Sequence, residues 1–226
     1  MRTIIGIVGY YGFVRGYPLG PELMERLQAS PWPEGVEIRE MNWGPVAIVQ
    51  DFQAQPLKPE RVVLVGALDR GLPDGSVCSR RWGGGAIDLA AVQRRMFEAV
   101  TGVISIDNLL VIGAHFGVWP SETFTVELQW PESGLGDLVL GEIEVDHASG
   151  QVAGRVVGEG PISPANDRIV QRIVDAVRAL AAGAKAPEVP EVPVLTVADL
   201  TPVAAVLHHR FLDDPGLPEA HERNTH

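Results

Sequence analysis

The chain has 226 residues, and its 18 Lys and Arg against 29 Asp and Glu give a formal net charge of −11. This acidity argues against nucleic acids and anionic membranes as partners, because both favour a basic protein surface. A hydrophobic fraction of 46% at this length supports one folded core and excludes a disordered or fibrous chain.

The lone cysteine, Cys78, excludes an intramolecular disulfide and any cysteine-based metal cluster, which predicts a reducing compartment. The first residues lack the apolar segment of a signal peptide. No run reaches the roughly 20 apolar residues of a membrane span. We therefore expect a cytoplasmic protein.

Strand and helix patterns alternate along the first 130 residues. Short runs rich in Ile, Val and Leu predict strands, and apolar stripes at helical spacing predict helices. The predicted strands are residues 3–8, 36–41, 61–68, 108–116 and 123–130, and the predicted helices are residues 21–29 and 88–100. This order is typical of a three-layer α/β domain, with a mainly parallel twisted sheet flanked by helices. Such sheets bind ligands at the carboxyl ends of their strands.

The next part of the chain predicts a hairpin followed by a long helix. Residues 138–146 and 151–157 flank a turn-like tetrapeptide, which favours a β-hairpin. The pair Ser163 and Pro164 is typical of a helix start, since serine caps the first turn and proline suits the first helical position.

The C-terminal segment predicts an appendage to this domain. Residues 184–193 form an extended linker with regularly spaced prolines, and Thr201 opens a further short helix before a polar tail. We therefore expect one α/β domain over residues 1–183 and an extension over residues 184–226.

Three side chains are candidates for catalysis, and two of them, Asp69 and His115, are predicted at the ligand-binding edge of the sheet. Asp69 directly follows one predicted strand, His115 stands at the end of another, and Asp88 opens a predicted helix. Each has a structural alternative: a turn cap for Asp69, a helix cap for Asp88 and a strand-end hydrogen bond for His115.

Other site motifs are incomplete. The six histidines show no zinc-binding spacing, and a helix would point the adjacent His208 and His209 about 100° apart. The glycines of residues 83–85 are not followed by the Lys-Ser/Thr of a P-loop, and residues 6–9 hold only a fragment of a dinucleotide fingerprint. Cys78 lies beside two arginines that could lower a thiol pKa, but no histidine is near it in sequence.

The order of several motifs resembles the hydrogenase maturation protease family, whose members trim the C-terminal extension of the large subunit of nickel–iron hydrogenases after nickel insertion. Residues 6–9 and 15–22 resemble the first motif, a strand with a glycine turn followed by a Gly-Pro helix start. Residues 65–77 resemble the second, a strand ending in Val-Asp-Ala before a Gly/Pro turn. Residues 87–89, Ile-Asp-Leu, resemble the third, a helix opening with His-Asp-Leu. The resemblance covers residues 3–182 and implies an aspartic-type or nickel-dependent endopeptidase.

The metal-recognising positions of that family are changed in this chain. The resemblance implies that an acid of the first motif, the Asp of Val-Asp-Ala and the His of His-Asp-Leu hold the nickel of the substrate. The corresponding residues here are Tyr17 (or its neighbour Gly16), Gly66 and Ile87. Glycine and isoleucine offer no side-chain ligand atom, and nickel favours imidazole or carboxylate donors.

Three functional hypotheses follow from these changes. The first is a non-catalytic homologue that has no cofactor and binds a protein partner, such as a hydrogenase large subunit or a maturation factor. The second is an active endopeptidase with a rearranged site of Asp69, Asp88 and His115, which would recognise the nickel of a hydrogenase substrate. The third is an unrelated small-molecule-binding α/β protein with a closed pocket at the sheet edge. The lost ligand positions favour the first hypothesis.

Overall fold

The computed structural model describes residues 1–9, 21–100, 104–129, 164–181 and 192–201. Within these ranges the chain forms six strands and five helices. In chain order they are β1 Thr3–Val8, α1 Pro21–Ala29, β2 Val36–Met41, α2 Pro45–Ala54, β3 Arg61–Leu68, β4 Val77–Gly84, α3 Leu89–Val100, α4 Ile106–His115, β5 Glu122–Gln129, α5 Pro164–Ala181 and β6 Val194–Thr196.

The strands form a single sheet in the order β2-β1-β3-β5-β4-β6. β1 pairs in parallel with β2 and β3, and β3 pairs in parallel with β5. β4 is antiparallel to β5, and β6 pairs in parallel with β4. The prediction of an α/β fold with a mainly parallel sheet is therefore confirmed. We call the edge at which β1, β3 and β5 end the carboxyl edge, and the opposite edge the amino edge.

Both faces of the central strands are buried, which explains their continuous apolar sequences. Along β3, Val63 and Val65 pack into a cluster with α1 and α5, whereas Val62 and Leu64 pack into a second cluster with α2 and α4. This alternation follows from the two-residue period of a strand. The sheet thus lies between two helical layers, and the elements predicted at residues 3–8, 21–29, 36–41 and 61–68 have the predicted boundaries.

The prediction of a strand over residues 108–116 is wrong, because this segment forms most of helix α4. Ser105 caps the helix, with its hydroxyl accepting a hydrogen bond from the backbone N–H of Asn108 at 3.2 Å. Every residue of Ile106–Gly113 is buried, and the run from Leu109 to Ala114 is apolar without a break, so the segment lacks the regularly spaced polar positions that mark a helical period.

Three elements have no counterpart in the sequence prediction: α2, β4 and β6. β6 lies within the segment expected to be an extension, and its residues Val194–Thr196 join the sheet beside β4. The predicted hairpin of residues 138–157 and the short helix after Thr201 lie outside the described residues, as does most of the linker. Of the helices that are described, none is long and apolar enough to cross a membrane.

Candidate functional site

The carboxyl end of β3 leads into a turn that presents Asp69 to solvent. Its carboxylate accepts hydrogen bonds at 2.9 Å from both the backbone N–H of Gly71 and the side-chain amide of Gln129. The bond from Gln129, followed by that from Gly71, lowers the pKa of Asp69. Gly71 has a φ of 66°, which suits glycine and closes the turn. Asp69 is thus an ionised residue that caps the turn.

The next residue, Arg70, is the centre of a buried ionic network. Its guanidinium contacts Asp107 at 2.7 and 3.0 Å and Glu127 at 3.0 and 3.1 Å. The side chain of Arg70 is 5% exposed, and those of both acids are 1% exposed. Burial lowers the pKa of Arg70, but the hydrogen bonds to Glu127 and Asp107 outweigh it and raise the pKa overall. With two hydrogen bonds to each carboxylate, Arg70 binds both acids in the bidentate geometry that arginine favours.

Glu127 has further partners on the side facing β4. The hydroxyl of Thr125 donates to its Oε1 at 2.8 Å, and Nε of Arg80 lies 3.5 Å from its Oε2. Burial, together with the charge of Glu127, raises the pKa of Cys78 and outweighs the opposing effect of Arg80. The neighbouring arginines therefore do not activate this thiol, because its acidic neighbour and its burial favour the protonated form.

Gly66 aligns with the aspartate of the Val-Asp-Ala motif. The space beside its Cα is filled by Ile106, the first residue of α4. A Cβ atom at this position would lie 2.7 Å from Cδ1 of Ile106 and 3.2 Å from the carbonyl oxygen of Val8. Because Ile106 is itself buried, the space that a carboxylate would need is filled by a packed side chain. Of the other changed positions, Ile87 is half-buried just before α3, and Tyr17 lies outside the described residues.

Asp88 and His115 lie at the ends of two helices, Asp88 just before α3 and His115 at the last residue of α4. The carboxylate of Asp88 accepts the backbone N–H of Ala91 at 2.5 Å, so Asp88 caps α3 as its structural alternative predicts. His115 is exposed at the C-terminal end of α4 and packs edge-to-face on Phe116. Since Asp107 at the start of α4 contacts Arg70, the rise of the helix places His115 about 12 Å along its axis from that contact.

The structure therefore does not bring the three candidate residues together. The placement of His115 at a strand end is wrong, because α4 carries the chain from the carboxyl edge back toward the amino edge, where β5 begins. The described parts of the chain also contain no group of three or more His, Cys, Asp or Glu side chains arranged to hold a metal ion.

The sequence did not predict the ion pairs that Arg70 makes with Asp107 and Glu127. The sequence holds one signal: Glu127 and Gln129 are polar residues within β5, which is buried from its second residue to its last, and a buried charge requires a partner. The identity of that partner depends on the tertiary fold. Arg70 is 57 residues from Glu127 and 37 from Asp107.

A separate open groove of about 610 Å³ lies between the end of β2 and α2. Met41, Ile48 and Phe52 form its apolar wall, Trp43 is 56% exposed beside it, and charged side chains line the rest. Its volume is in the usual range for small-molecule sites, but it is an open concavity, whereas the third hypothesis expects a closed pocket.

Comparisons with known proteins return similar structures but no related sequences. No protein-family model and no curated protein matches the chain. An endopeptidase from Escherichia coli is 13% identical, with 80% of this chain and 91% of that chain covered and a TM-score of 0.48. A hydrogenase maturating endopeptidase from E. coli is 16% identical, with 79% and 91% covered and a TM-score of 0.46. A [NiFe] hydrogenase maturation protease from Thermococcus kodakarensis is 15% identical, with 80% and 92% covered and a TM-score of 0.40.

Proposed function

We propose that this chain is a non-catalytic relative of the hydrogenase maturation endopeptidases that binds a protein partner during the maturation of nickel–iron hydrogenases. The order of its motifs supports the relationship, and the α/β fold is compatible with it. The observation that carries the loss of catalysis is the closed position at Gly66, where the side chain of Ile106 fills the space a carboxylate would need.

The neighbouring acids do not replace the missing one. Recognition of nickel requires free imidazole or carboxylate donors, and acid–base catalysis requires a group that can exchange a proton. Asp107 and Glu127 are buried and fully engaged by Arg70. Releasing either acid to a metal or a substrate would leave a buried arginine with half of its partners, which is costly.

An active endopeptidase with a rearranged site is the second candidate, and Asp69 is the observation in its favour. This side chain is exposed at the carboxyl edge, and its lowered pKa keeps it ionised at neutral pH. A rearranged site would have to recruit it with a further ligand, since His115 lies at the far end of α4 and Asp88 is engaged as the cap of α3.

The two candidates differ in the fate of a hydrogenase large-subunit precursor. The purified precursor is incubated with the full chain, complex formation is followed by size-exclusion chromatography, and the precursor's C-terminus is followed by mass spectrometry. We expect a complex in which the precursor keeps its C-terminal extension.

Two variants make this experiment decisive. Cleavage that is lost in Asp69→Ala but kept in Asp74→Ala, a change of a second acid in the same loop, would establish the endopeptidase instead. Failure of the wild-type chain to bind either the precursor or a hydrogenase maturation factor would contradict the proposed partner.

A further inference from the structure

The described C-terminal residues 192–201, which we call the strap, add to the sheet in the way that a bound peptide does. Strap residue Val194 pairs with Arg81, and Leu195 pairs with Trp82. The backbone N–H of Arg81 also donates to the carbonyl of Pro193 at 2.9 Å. An extended segment that pairs with an exposed strand is a common mode of peptide recognition, since the main-chain bonds provide affinity for any sequence.

Leu195 supplies the apolar anchor of the strap. Its side chain is fully buried in the cluster that contains Trp82, Leu68 and Ile106. The two strap residues before it, Pro193 and Val194, are exposed. One buried side chain among exposed neighbours is typical of peptide segments that insert a single anchor into a pocket.

The strap then folds into a short turn that is stabilised within itself. The carboxylate of Asp199 accepts the backbone N–H of Thr196 at 2.8 Å and its hydroxyl at 2.7 Å. These bonds form a capping box across one turn of 3₁₀-helix. Because they lie within the strap, a free peptide can form them too, which lowers the entropy lost on binding.

The end of the strap is held by buried charged side chains. The N–H of Thr201 donates to Asp107 at 2.8 Å, and its carbonyl accepts from Arg95. Its hydroxyl donates to the carbonyl of Asp69 at 3.1 Å and accepts from Arg70 at 3.2 Å. Every polar atom of Thr201 therefore has a partner, and the three charged side chains that hold it are almost fully buried.

We infer that residues 81–84 of β4, with Arg70, Arg95 and Asp107, form a peptide-binding site in which the strap is the resident ligand. The site takes an extended segment with a buried apolar residue at the position of Leu195 and a threonine six residues after it, at the position of Thr201. The same segment supplied by a separate molecule replaces the strap when the strap is no longer tethered. This inference goes beyond the proposed function and does not depend on the identity of the partner.

The test cuts the tether and keeps the rest of the protein intact. A specific protease site is placed within residues 184–191 of the full chain, and the chain is cleaved after folding. A fluorescent peptide of residues 192–201 is then titrated, and its anisotropy is measured. We expect saturable binding to the cleaved chain and binding at least about tenfold weaker to the uncut chain, because the tethered strap competes at high effective concentration.

Peptide variants show whether binding uses the contacts of the strap. Leu195→Asp is expected to abolish binding, since it places a charge in an apolar pocket. Thr201→Val keeps the shape but removes the hydroxyl, and is expected to weaken binding about tenfold. Ala198→Ser, at an exposed position, is the matched control and is expected to bind as the native peptide does.

Three results would overturn the inference. If the cleaved chain unfolds by circular dichroism, or stays folded and takes up no peptide, the strap is a permanent part of the fold. Equal binding of the Leu195→Asp and native peptides would show that the observed binding occurs elsewhere.

Discussion

Two buried arginines lie at opposite ends of β3, and the acids that they bind differ in their exposure to water. Arg61, at the amino edge, donates to Glu122 at 2.9 and 3.0 Å and to the carbonyl of Leu180 at 2.6 Å. Its guanidinium also lies 5.7 Å from the ring centroid of Phe124. Glu122 is 38% exposed, so this acid still reaches water. Arg61 thus joins the C-terminal end of α5 to the sheet through the carbonyl of Leu180.

Arg70, at the carboxyl edge, binds two acids that have no such access to water. An acid that pairs with a buried arginine and is itself buried cannot leave the pair without leaving a charge uncompensated. The carboxylates at the carboxyl edge, Asp107 and Glu127, are therefore buried structural partners of Arg70.

Replacing each arginine in turn tests this difference most strongly. Arg70→Met removes the closest cation from two buried carboxylates and leaves Glu127 with only the longer contact to Arg80, so it should lower the free energy of unfolding by about 3–5 kcal/mol. Arg61→Met should cost less, about 1.5–3 kcal/mol, because Glu122 can be rehydrated. Urea denaturation of both variants measures the order. Equal losses would mean that the burial of Asp107 and Glu127 adds nothing to the cost of removing their arginine, compared with the partly exposed Glu122.

Adding a side chain at Gly66 tests whether Ile106 fills the space beside this residue. Gly66→Ala should lower the free energy of unfolding by about 1–3 kcal/mol, because its Cβ would meet Ile106. In the double variant with Ile106→Ala, the total loss should be smaller than the sum of the single losses. Gly44→Ala is the control, since no atom lies within 4 Å of its added Cβ. Additive losses in the double variant would contradict the steric account.

Asp88 tests whether an acid outside the network has a structural role. Asp88→Ala should lower stability by about 1 kcal/mol through loss of the helix cap, as measured by urea denaturation. Asp88→Ser should restore most of that loss, because serine is also a good cap. If neither variant changes stability, the contact with Ala91 does not contribute to the fold in solution.

The smallest effect is expected at Asp69, and it depends on pH. Its pKa is lowered in the folded state, so its contribution is present above the ordinary aspartate pKa of about 3.9 and disappears as pH falls through the lower folded value. Asp69→Asn should therefore be slightly less stable than wild type at neutral pH, and the difference should vanish in acid. Denaturation curves across this range measure it. A difference that persists unchanged in acid would rule out the charge as its cause.

The sequence predicted the strands whose pattern of apolar and polar residues is complete within a short run. β1 and β3 are apolar on both faces, and the strand pattern of β2 is visible in its alternating charges. α4 was misassigned because burial on all sides removes the helical period. The pairing of Arg70 with Asp107 and Glu127 could not be predicted, because it joins residues that only the sheet and α4 bring together.

Nickel binding distinguishes a carboxyl edge without metal ligands from a working metal site. Calorimetric titration of nickel into the full chain should show no stoichiometric site of micromolar or tighter affinity that involves the carboxyl edge. A His208→Ala/His209→Ala variant removes the adjacent imidazoles as an alternative source of binding. A stoichiometric micromolar site that survives in this variant and is lost in Asp69→Ala would contradict the account.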